Sequence, residues 1–282
     1  FIKMAVTNGW GQAAVNNTID YGKGKTTATN DWGKIYDSSA SGDTNITGSG
    51  GAVPFTNTKS IQLDGVDDFV SIGATPANLR FNRLDTFSFS AWVKREGTNN
   101  QVILSNQLAP STNFRGYYFD IQPDERLGVV FRSTLSDRLF FKGSLSLDLG
   151  WNHVAFTYDG GASTNSGQFY INGSADTTTG TGTLTGTAES TDTLYLGVRS
   201  NADNFFDGKM DEVAIFNSEL SQSDITAIYG SGVPTSLSSY SSLVSWWRCG
   251  DNDTAPTLTD NGSGGNNGTM TNFSTFQTDV PT

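Results

Sequence analysis

Short segments with apolar side chains at every second residue, each bounded by Gly, Asn, Asp or Ser, recur through the middle of this chain and leave few folds open to it. In Phe87-Ser88-Phe89-Ser90-Ala91-Trp92-Val93-Lys94, the residues Phe87, Phe89, Ala91 and Val93 share one face of an extended strand. Trp151 to Tyr158 repeats the pattern with Val154, Phe156 and Tyr158, and ends at an Asp159-Gly160 turn. Gln168-Phe169-Tyr170-Ile171 stops at Asn172-Gly173, a pair suited to a two-residue hairpin. Thr193 to Arg199 and Asp211 to Phe216 continue the series. One helix is expected after them, with Ser221 as N-cap, Asp224 three positions on, Ile225 and Ile228 as the buried stripe and Gly230 as terminator. Many strands punctuated by turns, with one late helix, describe an all-β antiparallel two-sheet sandwich. Composition agrees: charged residues make up 16% of the chain, below the roughly 25% of ordinary globular domains.

Charge and composition also exclude function classes. A net charge of −11 with no dense Lys/Arg cluster argues against nucleic acid, whose phosphates need a basic stripe. No apolar run approaches the ~18–20 residues that would span a bilayer, so no membrane partner is expected. Cys249 is the single cysteine, so no intrachain disulfide forms. The opening Phe1-Ile2-Lys3-Met4 suits a chain that starts inside a longer product.

Three zones differ in texture. Residues 1–54 carry Trp10-Gly11-Gln12, Tyr21-Gly22-Lys23 and Trp32-Gly33-Lys34 at a spacing of 11, followed by a Ser/Gly-rich linker. One aromatic–Gly pair per unit is too little to build a core, so each ring is expected to enter a pocket on something else, with Trp10, Tyr21 and Trp32 as attachment residues of an extended arm. A flexible low-complexity leader is the alternative. Residues 55–232 are the sandwich. Residues 233–282 hold Leu243-Val244-Ser245-Trp246-Trp247-Arg248, which reads as one more strand, followed by a Gly/Asn/Thr-rich stretch.

The motif Leu63-Asp64-Gly65-Val66-Asp67-Asp68-Phe69-Val70 resembles the opening strand of laminin-G-like domains of the concanavalin A-like superfamily. Phe89 to Lys94, Trp151 to Gly160, Tyr170 to Gly173, Phe206 to Phe216 and Leu220 to Tyr229 resemble later motifs of the same family, in order. The resemblance implies a jelly-roll of two curved sheets, often with structural calcium and often used for glycan or protein binding. Family members usually start with a strand like Leu-Val-x-x-Trp and an acidic Gly/Asn-rich loop. Here that piece stands at the C-terminus, Leu243 to Met270, where it either completes this domain or pairs with a neighbouring subunit's sheet edge. The aromatic–Gly leader and the permuted tail together resemble structural proteins of tailed bacteriophages, which implies capsid or tail proteins as partners of the arm, a homo-oligomer, and a place on the virion surface.

Two constellations are candidate sites. Asp64, Asp67 and Asp68, with Asp207 and Asp211 near the closing strand, are hard oxygen ligands suited to calcium, and in the family fold these segments lie together; Asp-Gly and Asp-Asp turns explain them equally. By alternation Trp92, His153, Tyr170, Tyr195 and Arg199 lie opposite their strands' aliphatic sets, where aromatic rings beside Arg and His could hold a sugar. Packing under loops, leader or tail is the favoured reading of those five. Catalysis is not expected. Retaining glucanases of this fold need paired carboxylates about 5–5.5 Å apart, and the adjacent Asp211 and Glu212 would point to opposite faces of a strand. The sequence therefore suggests a non-enzymatic virion fibre, spike or decoration protein that engages host glycan; the alternative is a secreted bacterial carbohydrate-binding or adhesion module.

Overall fold

The computed structural model describes residues 3–6, 15–18, 26–29, 35–38, 55–107, 114–200 and 203–282. The chain divides into two compact units, Phe1–Thr56 and Asn57–Thr282. In the first, β1 (Lys3–Val6) pairs antiparallel with β2 (Val15–Thr18), and β3 (Thr26–Thr29) with β4 (Ile35–Ser38). β2 and β3 fall between successive aromatic–Gly pairs, β1 precedes the first and β4 follows the last; Trp10, Tyr21 and Trp32 lie outside the described residues.

The second unit is the sandwich. Its strands are β5 (Ser60–Asp64), β6 (Phe69–Ala74), β7 (Phe87–Arg95), β8 (Gln101–Ser105), β9 (Gly116–Ile121), β10 (Arg126–Arg132) and β11 (Arg138–Ser146). They continue with β12 (Asn152–Tyr158), β13 (Gly167–Ile171), β14 (Ser174–Asp176), β15 (Thr178–Thr183), β16 (Thr193–Leu196) and β17 (Asp207–Phe216). The helix α1 (Gln222–Tyr229) follows, then β18 (Leu243–Trp247), β19 (Thr257–Leu258), β20 (Gly268–Thr271) and β21 (Phe276–Gln277). One sheet has nine strands in the order β15-β11-β10-β9-β8-β16-β6-β20-β19. The other has eight: β14-β13-β12-β7-β17-β5-β21, with β18 joined to β17.

The alternating segments close this architecture because each supplies one apolar row to a shared layer. Phe87, Phe89, Phe156 and Tyr158 from the eight-stranded sheet meet Tyr117, Phe119, Phe131 and Phe141 from the nine-stranded sheet, all fully buried. Their rings lie 5.0–6.3 Å apart in pairs such as Phe87–Phe89, Phe89–Tyr117 and Phe141–Phe156. Such pairs add to plain area burial, about 0.5–1.5 kcal/mol each. The Asn172-Gly173 hairpin forms with both residues at positive φ, 50° and 76°, joining β13 to β14 with Ile171 opposite Ser174.

The permuted tail supplies strands to both sheets. Along β17, residues 207–210 pair with β5 and residues 213–216 pair with β18, so the C-terminal strand continues the edge where β5 leaves off. Strand β20 pairs with β6 in the opposite sheet, and β21 pairs with β5. Trp247 is fully buried, and its indole N–H donates to the Asn266 carbonyl at 2.8 Å. Helix α1 starts at a capping box in which the Ser221 hydroxyl accepts the Asp224 N–H and the Asp224 carboxylate accepts the Ser221 N–H. It ends at Gly230, left-handed at φ 59°. No helix among the described residues is long and apolar enough to cross a membrane.

Candidate functional site

Five residues were expected to form one outward face; the structure divides them between two sheets. Trp92, His153 and Tyr170 stand on the outer face of the eight-stranded sheet, as alternation requires, but α1 packs over this part of the face. The Tyr229 ring stacks on Trp92 at 5.7 Å and 24°, and lies 6.1 Å from His153. Gln222 and Thr226 donate to the Gly173 carbonyl at 2.7 and 3.1 Å, fixing the helix to the β13–β14 turn. Trp92 is 3% exposed, His153 0% and Tyr170 7%. Packing beneath an element, here the helix, removes their ring faces from any ligand. His153 Nε2 shares a 2.9 Å hydrogen bond with Ser90 Oγ, and burial pulls its pKa down to about 3.

The expected metal ligands also separate. Asp64, Asp67 and Asp68 bring carboxylate oxygens within 4.8 Å of one another in the β5–β6 turn. Asp207 stands opposite Asp64 across the β17–β5 ladder. Asp64 Oδ1 accepts the N–H groups of Val66, Asp67 and Asp68 at 2.9, 3.2 and 3.4 Å, and the Val66 bond leads in holding its pKa below the usual range. Burial first, then the neighbouring Asp64 and Asp67 charges, pushes Asp68 up, and burial with Glu96 and Asp64 does the same to Asp207. Hard carboxylate oxygens repelling one another in one turn are a donor set that fits calcium.

Asp211 belongs elsewhere. It is fully buried, accepts from Asn57 Nδ2 at 2.8 Å, and its pKa is raised by burial and by the adjacent Glu212. The register between β17 and β7 shifts between Asp211 and Ala214, and Glu212 takes φ 49°, so simple alternation does not govern this pair. Glu212 is 4% exposed; it accepts from the Trp246 indole N–H and from Arg248 Nε at 3.3 Å. Glu212 holds the C-terminal segment to β17, Asp211 holds Asn57 at the start of the sandwich, and neither carboxyl reaches the surface.

Tyr195 and Arg199 lie on the outer face of the nine-stranded sheet, with residues the sequence reading did not single out. A register row crosses this face: Tyr195 opposite Ser105, Ser105 opposite Tyr118, Tyr118 opposite Val130, Val130 opposite Phe140, Phe140 opposite Thr181. Each ring here alternates with core neighbours, Leu194 and Leu196, Tyr117 and Phe119, Leu139 and Phe141. Tyr195, Tyr118 and Phe140 are part-exposed and sit two strands apart, about 10 Å at the usual strand spacing. The Arg132 guanidinium lies 4.8 Å from the Phe114 ring centre and 5.9 Å from Tyr118, and Arg199 lies 5.9 Å from Tyr118 on the β16 side. Arg199 pairs with Asp203. One register row away, Asp120 is fully buried; burial pushes its pKa up to about 7, offset in part by the amides of Gln122 and Asn100. Beside Phe140 a cavity of about 330 Å³ is lined by Arg126, Lys142, Ser144, Thr179 and Thr181. A cavity of about 410 Å³ borders the β6–β7 connection, where Arg80 Nε is committed to the Thr75 carbonyl. The GYYFDI segment carried the signal for Tyr118 and Asp120, since its outward positions alternate with Tyr117 and Phe119.

A two-sheet antiparallel sandwich with a helix packed over part of one face and rings and polar groups lining the other is a lectin-like fold. The family described as the concanavalin A-like lectin/glucanases superfamily matches residues 63–226, and the chain belongs to it. Among solved structures, a Bacteroides ovatus protein assigned as carbohydrate-binding superposes with a TM-score of 0.58 at 16% identity, covering 91% of this chain and 69% of that one. The CBM40 module of a Ruminococcus gnavus sialidase bound to α2,3-sialyllactose gives 0.45 at 15% identity, covering 61% and 98%. In sequence the chain is 25% identical over 202 residues to botulinum neurotoxin type X of Clostridium botulinum; this match takes in 70% of the chain and 15% of the toxin's length.

Proposed function

We propose that this protein is a non-enzymatic carbohydrate-binding module whose ligand lies across the outer face of the nine-stranded sheet. The observation that carries this reading is the row Tyr195–Tyr118–Phe140, three rings spaced across alternate strands among Ser105, Lys142 and Thr181. Sugar rings are apolar on one side and hydroxylated at the rim, so aromatic platforms flanked by polar groups suit them. The family, and the carbohydrate-binding assignment of the Bacteroides ovatus relative, support the same class. The carrier is a tailed-phage particle in this reading, with residues 1–54 attaching the module to capsid or tail through Trp10, Tyr21 and Trp32; the aromatic–Gly repeat is its support. Calcium in the Asp64–Asp68 turn would brace the loop between β5 and β6.

A glycan array followed by calorimetry tests the site. Tyr118→Ala and Phe140→Ala are each expected to weaken binding about tenfold, while Trp92→Phe leaves affinity unchanged. Equal affinity in all three variants would place the ligand elsewhere, and turnover of any β-glucan in the panel would overturn the non-enzymatic assignment.

A further inference from the structure

The cations around Tyr118 narrow the ligand class. Arg132 projects from β10 directly opposite Arg138 on β11, and both lie on the outer face because Phe131 and Leu139 point into the core. Like charges facing each other across a ladder repel. Arg132 is 3% exposed, has no ion pair among the described residues, and leaves Nε buried without a hydrogen bond; one donated bond reaches Gln107 Oε1. A buried guanidinium with no carboxylate is costly to the isolated protein. Acids near these strands are engaged by other groups: Asp203 by Arg199, Asp124 by Lys142 and Arg126, Asp137 by Ser133, Thr185 and the Gly186 amide, and Asp120 by Gln122. The sequence between Gln107 and Phe114, and between Ser200 and Asp203, contains no Asp or Glu that could serve. Burial first, then the Asp120 charge, raises the pKa of the Tyr118 hydroxyl, and Arg132, Arg199 and Arg138 partly offset that rise. This concentration of cation stands in a chain of net charge −11.

Resting on the carbohydrate-binding reading, we propose that the site selects acidic glycans, carboxylated or sulfated, with the sugar against Tyr118 and its anion held by exposed Arg138 and the field of Arg132 beneath. The ligand's charge supplies the counter-ion that the protein withholds, and charge-assisted hydrogen bonds from a guanidinium to carboxylate or sulfate are the strong kind. Neutral sugars would bind the rings but leave the arginine pair unrelieved.

The test uses the whole chain and chemically paired probes: β-1,4-mannohexaose against a β-1,4-mannuronate hexasaccharide, and a neutral galactan hexasaccharide against its sulfated counterpart, each by calorimetry at low and high salt. At least one acidic probe is expected to bind about 10- to 100-fold tighter than its neutral partner, with the advantage shrinking as salt rises. Arg138→Gln, on an exposed side chain, should remove most of that advantage and leave neutral binding intact. Arg132→Met should reduce it while keeping or raising the melting temperature. Equal affinity for acidic and neutral partners overturns the acidic selection and leaves the carbohydrate-binding reading standing. Failure of every glycan, across the array as well, overturns both.

Discussion

His153 shows what one buried titratable side chain does to the whole fold. Its pKa falls from about 6.5 to about 3 because α1 and the sheet exclude water from the charged form. Below pH 6.5 the unfolded chain takes up a proton that the folded chain refuses, so stability is complete above 6.5 and drains away as pH falls toward 3. At pH 4.5 the loss is roughly 2–3 kcal/mol. His153→Phe should fill the slot between Trp92 and Tyr229 and give up the Ser90 hydrogen bond, so at pH 7 it is expected to be about 1 kcal/mol less stable. By pH 4.5 the order reverses. Asp120 and Glu212 run the other way, since burial raises both, Asp120 to about 7, and their destabilisation grows as pH rises; comparing variant and parent at each pH cancels them. Urea unfolding at pH 7 and 4.5 decides it, and parallel pH curves would show that His153 ionises freely in the fold. Alternation in the sequence placed His153, Trp92 and Tyr170 outward correctly, yet outward is not exposed. What lies over these strands is set by a helix that starts 51 residues after β13, 64 after β12 and 127 after β7, and no local pattern encodes that.

Among the elements, the β5–β6 turn gathers Asp64, Asp67 and Asp68, three of the five carboxylates proposed for calcium, and calcium is expected to act there. Asp68 and Asp207 sit in the field of their neighbours' charges, a repulsion that a divalent cation would convert into attraction. Saturating calcium, at about 100 times its dissociation constant, should stabilise by about 2.7 kcal/mol and raise the melting temperature by roughly 5–10 °C. A chelator should reverse the gain. Asp67→Asn, at an exposed position whose carboxylate has no hydrogen bond among the described residues, should abolish the increment and leave the metal-free melting point unchanged. A melting temperature indifferent to calcium and chelator would leave the turn as backbone geometry alone. Strands and helix were legible for a shared reason: turn residues, caps and period-two rows are local. The Asp211–Ala214 bulge was not, because a one-residue slip in register depends on the partners β7, β5 and β18 together.

At the scale of the molecule, the order of strands along the chain differs from their order in space, and the C-terminal segment resolves the difference. β18 continues β5's edge on β17, β20 extends the opposite sheet, and β21 returns to β5, where the Ser60 hydroxyl donates to the Asp279 carbonyl at 2.7 Å. The sandwich thus begins and ends on neighbouring strands, the arrangement that lets a fold be permuted without changing its packing. Fold class and core could be read from the sequence, whereas the choice between pairing within the chain and pairing with a neighbour needed the register. A fragment of residues 57–282 should therefore unfold in one cooperative transition and keep full glycan affinity. A fragment of residues 57–242 loses Trp247, Val244 and Met270 from the core and should fail to fold, since deleting even one large buried side chain costs about 3–5 kcal/mol against a total of about 5–15. If residues 1–54 are the attachment arm, the 57–282 fragment should also stop co-sedimenting with phage particles that retain the whole chain. Circular dichroism, calorimetric melting and particle sedimentation read the three outcomes separately. A folded 57–242 fragment would mean that the tail decorates the sandwich instead of completing it, and particle binding by 57–282 would move the attachment surface off the repeats.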